Sequence, residues 1–342
     1  MRTVGDAGFE GVGGADEGVG GNEGTEGSAA VVHRRSRTHL GVVLGVVWIL
    51  VPLALFLLDQ SILLSGNPAQ VIALAASGLI GVVLLVHDKP DDRRRVRRRP
   101  RWRRVLGQVV GVVATVVVLG ALVWLRPFAA TPAALSSLAG GAEVRVTDAA
   151  AHIVIVPKGS TPTRGLVFQP GARVDPRAYV PLLSQVSKQG VLVVIVKQPF
   201  DIGLLATTAP QSFVAEHPEV RAWAVGGHSL GGVAAARFAL DHPLLVRGLV
   251  LWASYPDQSL AGLTALRVAS VSGTRDAFTT PADVAASQAL LPPTTAYTRV
   301  EGAVHSFFGD YGEQPGDGSP TVSRAEAQRQ VVDATVELML SL

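Results

Sequence analysis

AWAVGGHSLGGVAAARFAL, residues Ala222–Leu240, decides how this chain is read. It begins with a short apolar run, Ala222–Val225, passes through GGHSLGG, and continues from Leu230 with apolar residues at helical spacing. Gly227-x-Ser229-x-Gly231 has the form of a nucleophile elbow, a sharp strand-to-helix turn that lifts a serine oxygen above a sheet. So tight a turn leaves no room for side chains at Gly227 and Gly231. The serine then stands at a helix N-terminus, where free N–H groups stabilise developing negative charge. A glycine-rich turn with a serine helix cap would carry the same letters. The strand–turn–helix context favours the elbow.

A serine hydroxyl is a weak nucleophile until a base takes its proton, so a histidine and an orienting carboxylate are expected, in the chain order serine, acid, histidine. Downstream of the elbow stand His242 and His305. His242 lies in a His-Pro pair about one helix length away and suits a helix end. His217 precedes the serine, and His228, inside the elbow, is expected to point away from the site. His305 follows the last strand in VEGAVHSFFGD, where a catalytic histidine belongs. Two acids compete: Asp276 in SVSGTRDAF, which is favoured, and Asp257 in WASYPDQ, one strand earlier. Asp310 and Asp317 flank glycines and read as turn formers. An oxyanion hole needs two backbone donors, expected at Leu230, directly after the nucleophile, and at Ala172 in QPGARVDP, with Gly171 the alternative.

Outward from the elbow, β-branched runs at His152–Val156, Leu166–Phe168, Val191–Val196, Gly248–Trp252, Val268–Val271 and Tyr297–Val300 alternate with amphipathic stretches at Pro176–Lys188, Leu230–Leu240, Pro281–Leu290 and Val322–Leu340. That alternation predicts an α/β fold, a mostly parallel sheet covered on both faces, over residues 142–342. The short passage from Trp252 to Val268 leaves no room for a large cap.

Upstream the chain changes character. Residues 1–38 form a glycine- and glutamate-rich tail that cannot bury enough surface to order itself, and no small-residue cleavage site marks a signal peptide. Three apolar runs follow, at about 40–58, 68–86 and 105–125, each near the roughly 20 residues a membrane helix needs. Arg34, Arg35 and Arg37 precede the first run, the loop DQSILLSGNPAQ carries no Lys or Arg, and HDKPDDRRRVRRRPRWRR is densely basic. The positive-inside rule then gives a multi-pass cell-membrane protein with three spans and an extracytoplasmic C-terminal domain. Residues 127–141, rich in Ala and Pro, read as a linker.

Composition narrows the chemistry. Of 342 residues 48% are hydrophobic and none is Cys, which excludes disulfides, thiol nucleophiles and Cys-ligated zinc. No cofactor or metal is expected. The formal charge of +3 arises largely from one membrane-flanking loop, so the bilayer, not nucleic acid, is the expected polyanionic partner.

FQPGARVDPRAYVPLL, GGHSLGG, SGTRD and VHSFFGDYGEQPGDG together resemble the α/β-hydrolase superfamily. Within it they resemble the small, dienelactone-hydrolase-like "hydrolase fold-5" branch, often seen in actinobacterial membrane-anchored proteins. The resemblance covers roughly Ile153–Leu342 and implies a triad of Ser229, Asp276 and His305 acting on a small-molecule or lipid-like acyl ester through an acyl-enzyme. The superfamily's His-Gly oxyanion loop is replaced here by Pro170-Gly171. Acyl transfer with the same triad, or a catalytically inactive scaffold that binds or senses, are the alternative readings.

Overall fold

The computed structural model describes residues 39–87 and 100–342. The N-terminal tail and most of the arginine-rich loop lie outside the described residues. First come α1 (His39–Leu58), the short α2 (Gln60–Ser65), α3 (Pro68–His87) and α4 (Arg101–Trp124). Three of these, all but α2, are long and apolar enough to cross a membrane, with mean hydropathies of 2.8, 2.4 and 2.4. The last begins before Val105 because Arg101–Arg104 can stay helical while their charged ends reach for water. α1 and α3 cross closely at Gly45 and Gly81: a Cβ on Gly81 would stand 2.7 Å from the Gly45 carbonyl oxygen. Trp48 Nε1 ties α1 to α4 by donating to Thr115 Oγ1 at 2.8 Å.

The segment expected as a linker is folded. α5 (Pro132–Ser136) starts with Thr131 as N-cap and Pro132 in its first turn, and Ala134 is fully buried. Phe128 pairs with the loop around Val174: its N–H donates to Arg173 O, and Asp175 N–H donates to Phe128 O at 3.1 Å. The small residues of this segment allow close packing against the domain.

An eight-stranded sheet follows: β1 (Val144–Asp148), β2 (His152–Pro157), β3 (Arg164–Gln169), β4 (Val191–Val196), β5 (Ala222–His228), β6 (Gly248–Trp252), β7 (Arg267–Gly273) and β8 (Ala296–Val300). Their order is β1-β2-β4-β3-β5-β6-β7-β8. β1 and β2 pair antiparallel at one edge, and β4 through β8 are parallel. The edge strand β1 went unread because only Val144 of VRVTD is buried.

Helices α6 (Val180–Ser187), α7 (Ala209–Glu216), α8 (Leu230–Asp241), α9 (Pro281–Ser287) and α10 (Arg324–Leu340) complete the domain. Alternation along β3 builds two cores. Leu166 and Phe168 join Trp252, Leu183 and Met339 on one face, while Val167 joins Val194, Val225 and Phe238 on the other. Each such side chain contributes about 1.5–3 kcal/mol on burial. α7 was missed because only Pro210 and Phe213 of its residues are buried, too few to show a period. The carboxyl ends of the parallel strands form the edge where ligands bind in such sheets.

Candidate active site

β5 ends at His228, and the chain turns at Ser229 into α8. Ser229 has φ 51° and ψ −124°, a conformation that costs a non-glycine residue about 1–3 kcal/mol. Its surroundings hold it there: Ser229 N–H donates to Trp252 O at 2.9 Å, and Ser254 Oγ donates to Ser229 O at 2.7 Å. A Cβ on Gly227 would overlap the Gly231 backbone, and one on Gly231 would overlap the carbonyl oxygens of Gln169 and Pro170. The second approach presses the elbow against the loop after β3.

Asp276 follows β7, and its carboxylate is divided between two tasks. Oδ1 accepts the N–H groups of Phe278 and Thr279, both at 2.8 Å, which fixes the group in place. Oδ2 lies 2.8 Å from His305 Nδ1. Because a carboxylate can only accept, Nδ1 carries the hydrogen and Nε2 keeps its lone pair. Both side chains are buried, whereas Ser229 is half-buried and open to solvent. The His305 ring sits 4.5 Å, centroid to centroid, from that of His228, the residue before the nucleophile. Ser229, His305 and Asp276 therefore gather at one end of the sheet. Among the described residues no hydrogen bond joins Ser229 Oγ to His305, a looseness common before substrate tightens such a site.

The competing residues are engaged elsewhere. Asp257 pairs with Arg237 on the surface. His242 packs on Phe238 at 4.5 Å, and His217 Nδ1 lies 3.0 Å from Glu219 Oε1.

In the loop after β3 the backbone donors are divided. Gly171 N–H donates to Tyr179 Oη at 2.9 Å, Arg173 N–H to Asp201 O at 2.9 Å, and Val174 N–H to Gly171 O at 3.1 Å. Ala172 N–H has no acceptor among the described residues. Neither has Leu230 N–H, which opens α8 where the helix offers none. Of the two candidates in this loop, Ala172 is the one with its donor free.

Residues 165–330 match the family model described as the alpha/beta hydrolase family. This domain is an alpha/beta hydrolase. None of the curated proteins matches the chain in sequence. Solved structures similar to it include a CIB-like hydrolase from Thermoplasma acidophilum, 16% identical, covering 57% of this chain and 98% of that one with a TM-score of 0.44. A dienelactone hydrolase from Anabaena variabilis is 17% identical over 58% of this chain and 98% of that one, at 0.43. The esterase rPPE, in a doubly substituted form, is 14% identical over 60% and 88%, also at 0.43.

Three features of the hydrolase site escaped the sequence reading. His228 does not point away. It is buried on the same face as His305, and its Nδ1 lies 2.9 Å from Tyr179 Oη. The strand alternation that sends Ala224 and Gly226 to that face sends His228 there too. Tyr179 already accepts the Gly171 N–H, so its own hydrogen goes to His228 Nδ1. Burial raises the Tyr179 phenol and lowers the His228 imidazole, with the nearby His305 lowering it further, so both stay neutral in this chain.

Asp317 does more than shape a turn. It accepts the His305 N–H at 3.1 Å and the Ser306 N–H at 2.8 Å. Arg324 braces the same loop, donating to Ser306 O and Gly309 O at 2.6 Å each. A spacing of 12 and 11 residues has no periodic signature that would reveal the contact in advance.

Asp201, the third feature, accepts the Arg173 N–H from the loop after β3 and has φ 52°. Burial, reinforced by the charge of Asp175, pushes its carboxyl up to about 7, while Gln70 Nε2 donates to it at 3.3 Å.

Proposed function

We propose that this hydrolase is a membrane-anchored serine esterase. Ser229 Oγ attacks the ester carbonyl carbon while His305 Nε2 takes its proton. The tetrahedral oxyanion is received by Ala172 and Leu230 N–H. The C–O bond to the alcohol then breaks, and His305 gives its proton to the departing oxygen, leaving Ser229 acylated. A water, deprotonated by His305, attacks the acyl carbon and releases the carboxylic acid with Ser229 restored. Asp276 keeps the imidazole in the tautomer this requires.

The single observation that carries the reading is the Asp276–His305 pair, 2.8 Å apart and buried, beside a strained serine whose following N–H is free. A fluorophosphonate probe should label the full-length protein at Ser229, and Ser229→Ala should abolish both labelling and ester hydrolysis. Undiminished labelling of that variant would refute the assignment.

The anchor and its sidedness belong to the same proposal. Leu58, Pro68 and Trp124 lie at or near the helix ends that contact the hydrolase, whereas His87 and Arg101 end α3 and begin α4 on either side of the arginine-rich loop. The positive-inside rule puts that loop in the cytoplasm and the hydrolase across the membrane from it. Protease added to spheroplasts should digest the chain beyond Leu125 and spare the loop; protection of the hydrolase would reverse the orientation.

A further inference from the structure

The edge of the sheet that carries the catalytic groups is also the edge that meets the membrane helices. Arg173, directly after the oxyanion donor Ala172, lays its guanidinium 4.7 Å over the ring of Trp124, the last residue of α4. Tryptophan at the end of a membrane helix sits at headgroup level. The side chain of Arg173 thus links the loop after β3 directly to the end of α4. Arg177 Nη1, a few residues on, is 3.4 Å from Ser61 Oγ in α2. Just after the neighbouring strand β4, Lys197 Nζ donates to Ser65 O, and Asn67 Nδ2 donates to Lys197 O at 3.0 Å.

A second connection runs through the loop after β4. Phe200 lines a small pocket with Leu55, Leu74 and Leu122 of the membrane helices, and it takes a left-handed φ of 55° there. Three residues later Gly203 packs on the elbow helix, where a Cβ would stand 3.3 Å from Gly231 Cα. The loop therefore bridges the helix bundle and the nucleophile. Two residues further on Leu205 is 58% exposed, and Phe278, whose ring is 5.3 Å from that of His305, is 43% exposed. If the substrate's chains stay in the leaflet, such exposed apolar side chains meet acyl chains rather than water.

We propose that the site takes its substrate from the bilayer: a lipid acyl ester whose chains stay in the leaflet next to Trp124 while its ester bond reaches Ser229. This rests on the serine-esterase reading and adds where the substrate resides. A chain-binding tunnel or a large cap is then unnecessary, because the membrane itself holds the apolar part. Confinement of enzyme and ester to one bilayer also raises their effective concentration.

The test uses the full-length chain in vesicles of phosphatidylcholine and phosphatidylglycerol, with 4-methylumbelliferyl palmitate as the membrane probe and 4-methylumbelliferyl acetate as the aqueous one. Palmitate in the enzyme's own vesicles should be cleaved about ten-fold or more faster than palmitate in separate, protein-free vesicles, and with higher kcat/KM than acetate. Leu205→Asp should lower the palmitate rate about five-fold more than the acetate rate, by placing a charge against the lipid surface. Equal rates from both kinds of vesicle, a preference for acetate, or equal losses in Leu205→Asp would each overturn the proposal. Fluorophosphonate labelling at Ser229 without palmitate cleavage would also overturn it while leaving the serine assignment intact. No labelling and no cleavage of either ester would remove both.

Discussion

The two sides of the active site are fastened in different ways. The proton-relay side, Asp276 and His305, is held by groups from its own end of the chain: Phe278, Thr279, Asp317 and Arg324 all lie within 50 residues of Asp276. The oxyanion side, Gly171–Asp175, depends on distant segments instead. Phe128 pairs with it, Ala130 N–H donates to Asp175 Oδ2 at 3.3 Å, Trp124 underlies Arg173, and Asp201, held by Gln70, accepts its Arg173 N–H. The comparison teaches that the Asp276–His305 pair is fastened independently of α1–α4, whereas the loop proposed to receive the oxyanion is packed against them.

The largest effects test the relay. Ser229→Ala is expected to lower turnover by about a million-fold, as when one member of a triad is removed. Asp276→Asn should cost about ten-thousand-fold by leaving the wrong imidazole tautomer. Asp257→Asn, which only breaks an exposed ion pair, should leave turnover within about two-fold and stability almost unchanged. Steady-state ester hydrolysis by the three variants checks all of this. A crippled Asp257→Asn with an active Asp276→Asn would exchange the roles given to the two acids.

Asp317→Ala removes a carboxylate that accepts two backbone N–H groups of the His305 loop. Hydrogen bonds to charged acceptors contribute about 1.5–3 kcal/mol each, so a stability loss near 3 kcal/mol is expected in urea titrations, together with a drop in kcat. Retention of full kcat would show that the His305 loop holds its shape without that brace.

Trp124→Ala challenges the other side. Cation–π contacts contribute about 0.5–2 kcal/mol, which translates into at most about a thirty-fold fall in kcat. Fluorophosphonate should still react at Ser229. Unaltered kcat would break the proposed coupling between anchor and oxyanion loop.

A last effect, on stability and not on turnover, is pH-dependent and belongs to Asp201. Its folded pKa of about 7 lies above the ordinary carboxyl value of 3.8. Between those pH values the folded chain holds a proton that the unfolded chain has released. Stability should therefore fall as pH rises from about 4 to about 7 and level off above that. Asp201→Asn, which tolerates the left-handed φ well, should flatten this slope and raise the melting temperature at pH 8. An unchanged slope would mean another group is responsible.

Much was legible in the chain because it depends on neighbours in sequence. Gly227, Ser229 and Gly231 lie within one turn, so their spacing alone declares the elbow, and Val191–Val196 and Gly248–Trp252 declare buried strands by unbroken apolarity. The apolar runs behind helices of 19 to 24 residues likewise announce segments long enough to cross a membrane, since the hydrocarbon thickness sets a length that few other structures require. β1 and α7, with one and two buried residues, carried too little pattern to be seen.

Tertiary structure decided what depends on residues far apart in the chain. Only the packed domain brings Asp276, and not Asp257, to His305, and only there does Tyr179 consume the Gly171 N–H and leave that of Ala172 free. It also brought Phe128 and Ala130, within the expected linker, against the loop after β3, and made His228 a neighbour of His305. The physical reason is reach. Periodicity, steric demand at a turn and helix length act within a few residues, whereas a hydrogen-bond partner is chosen by whichever group the folded sheet and the membrane helices deliver within about 3 Å.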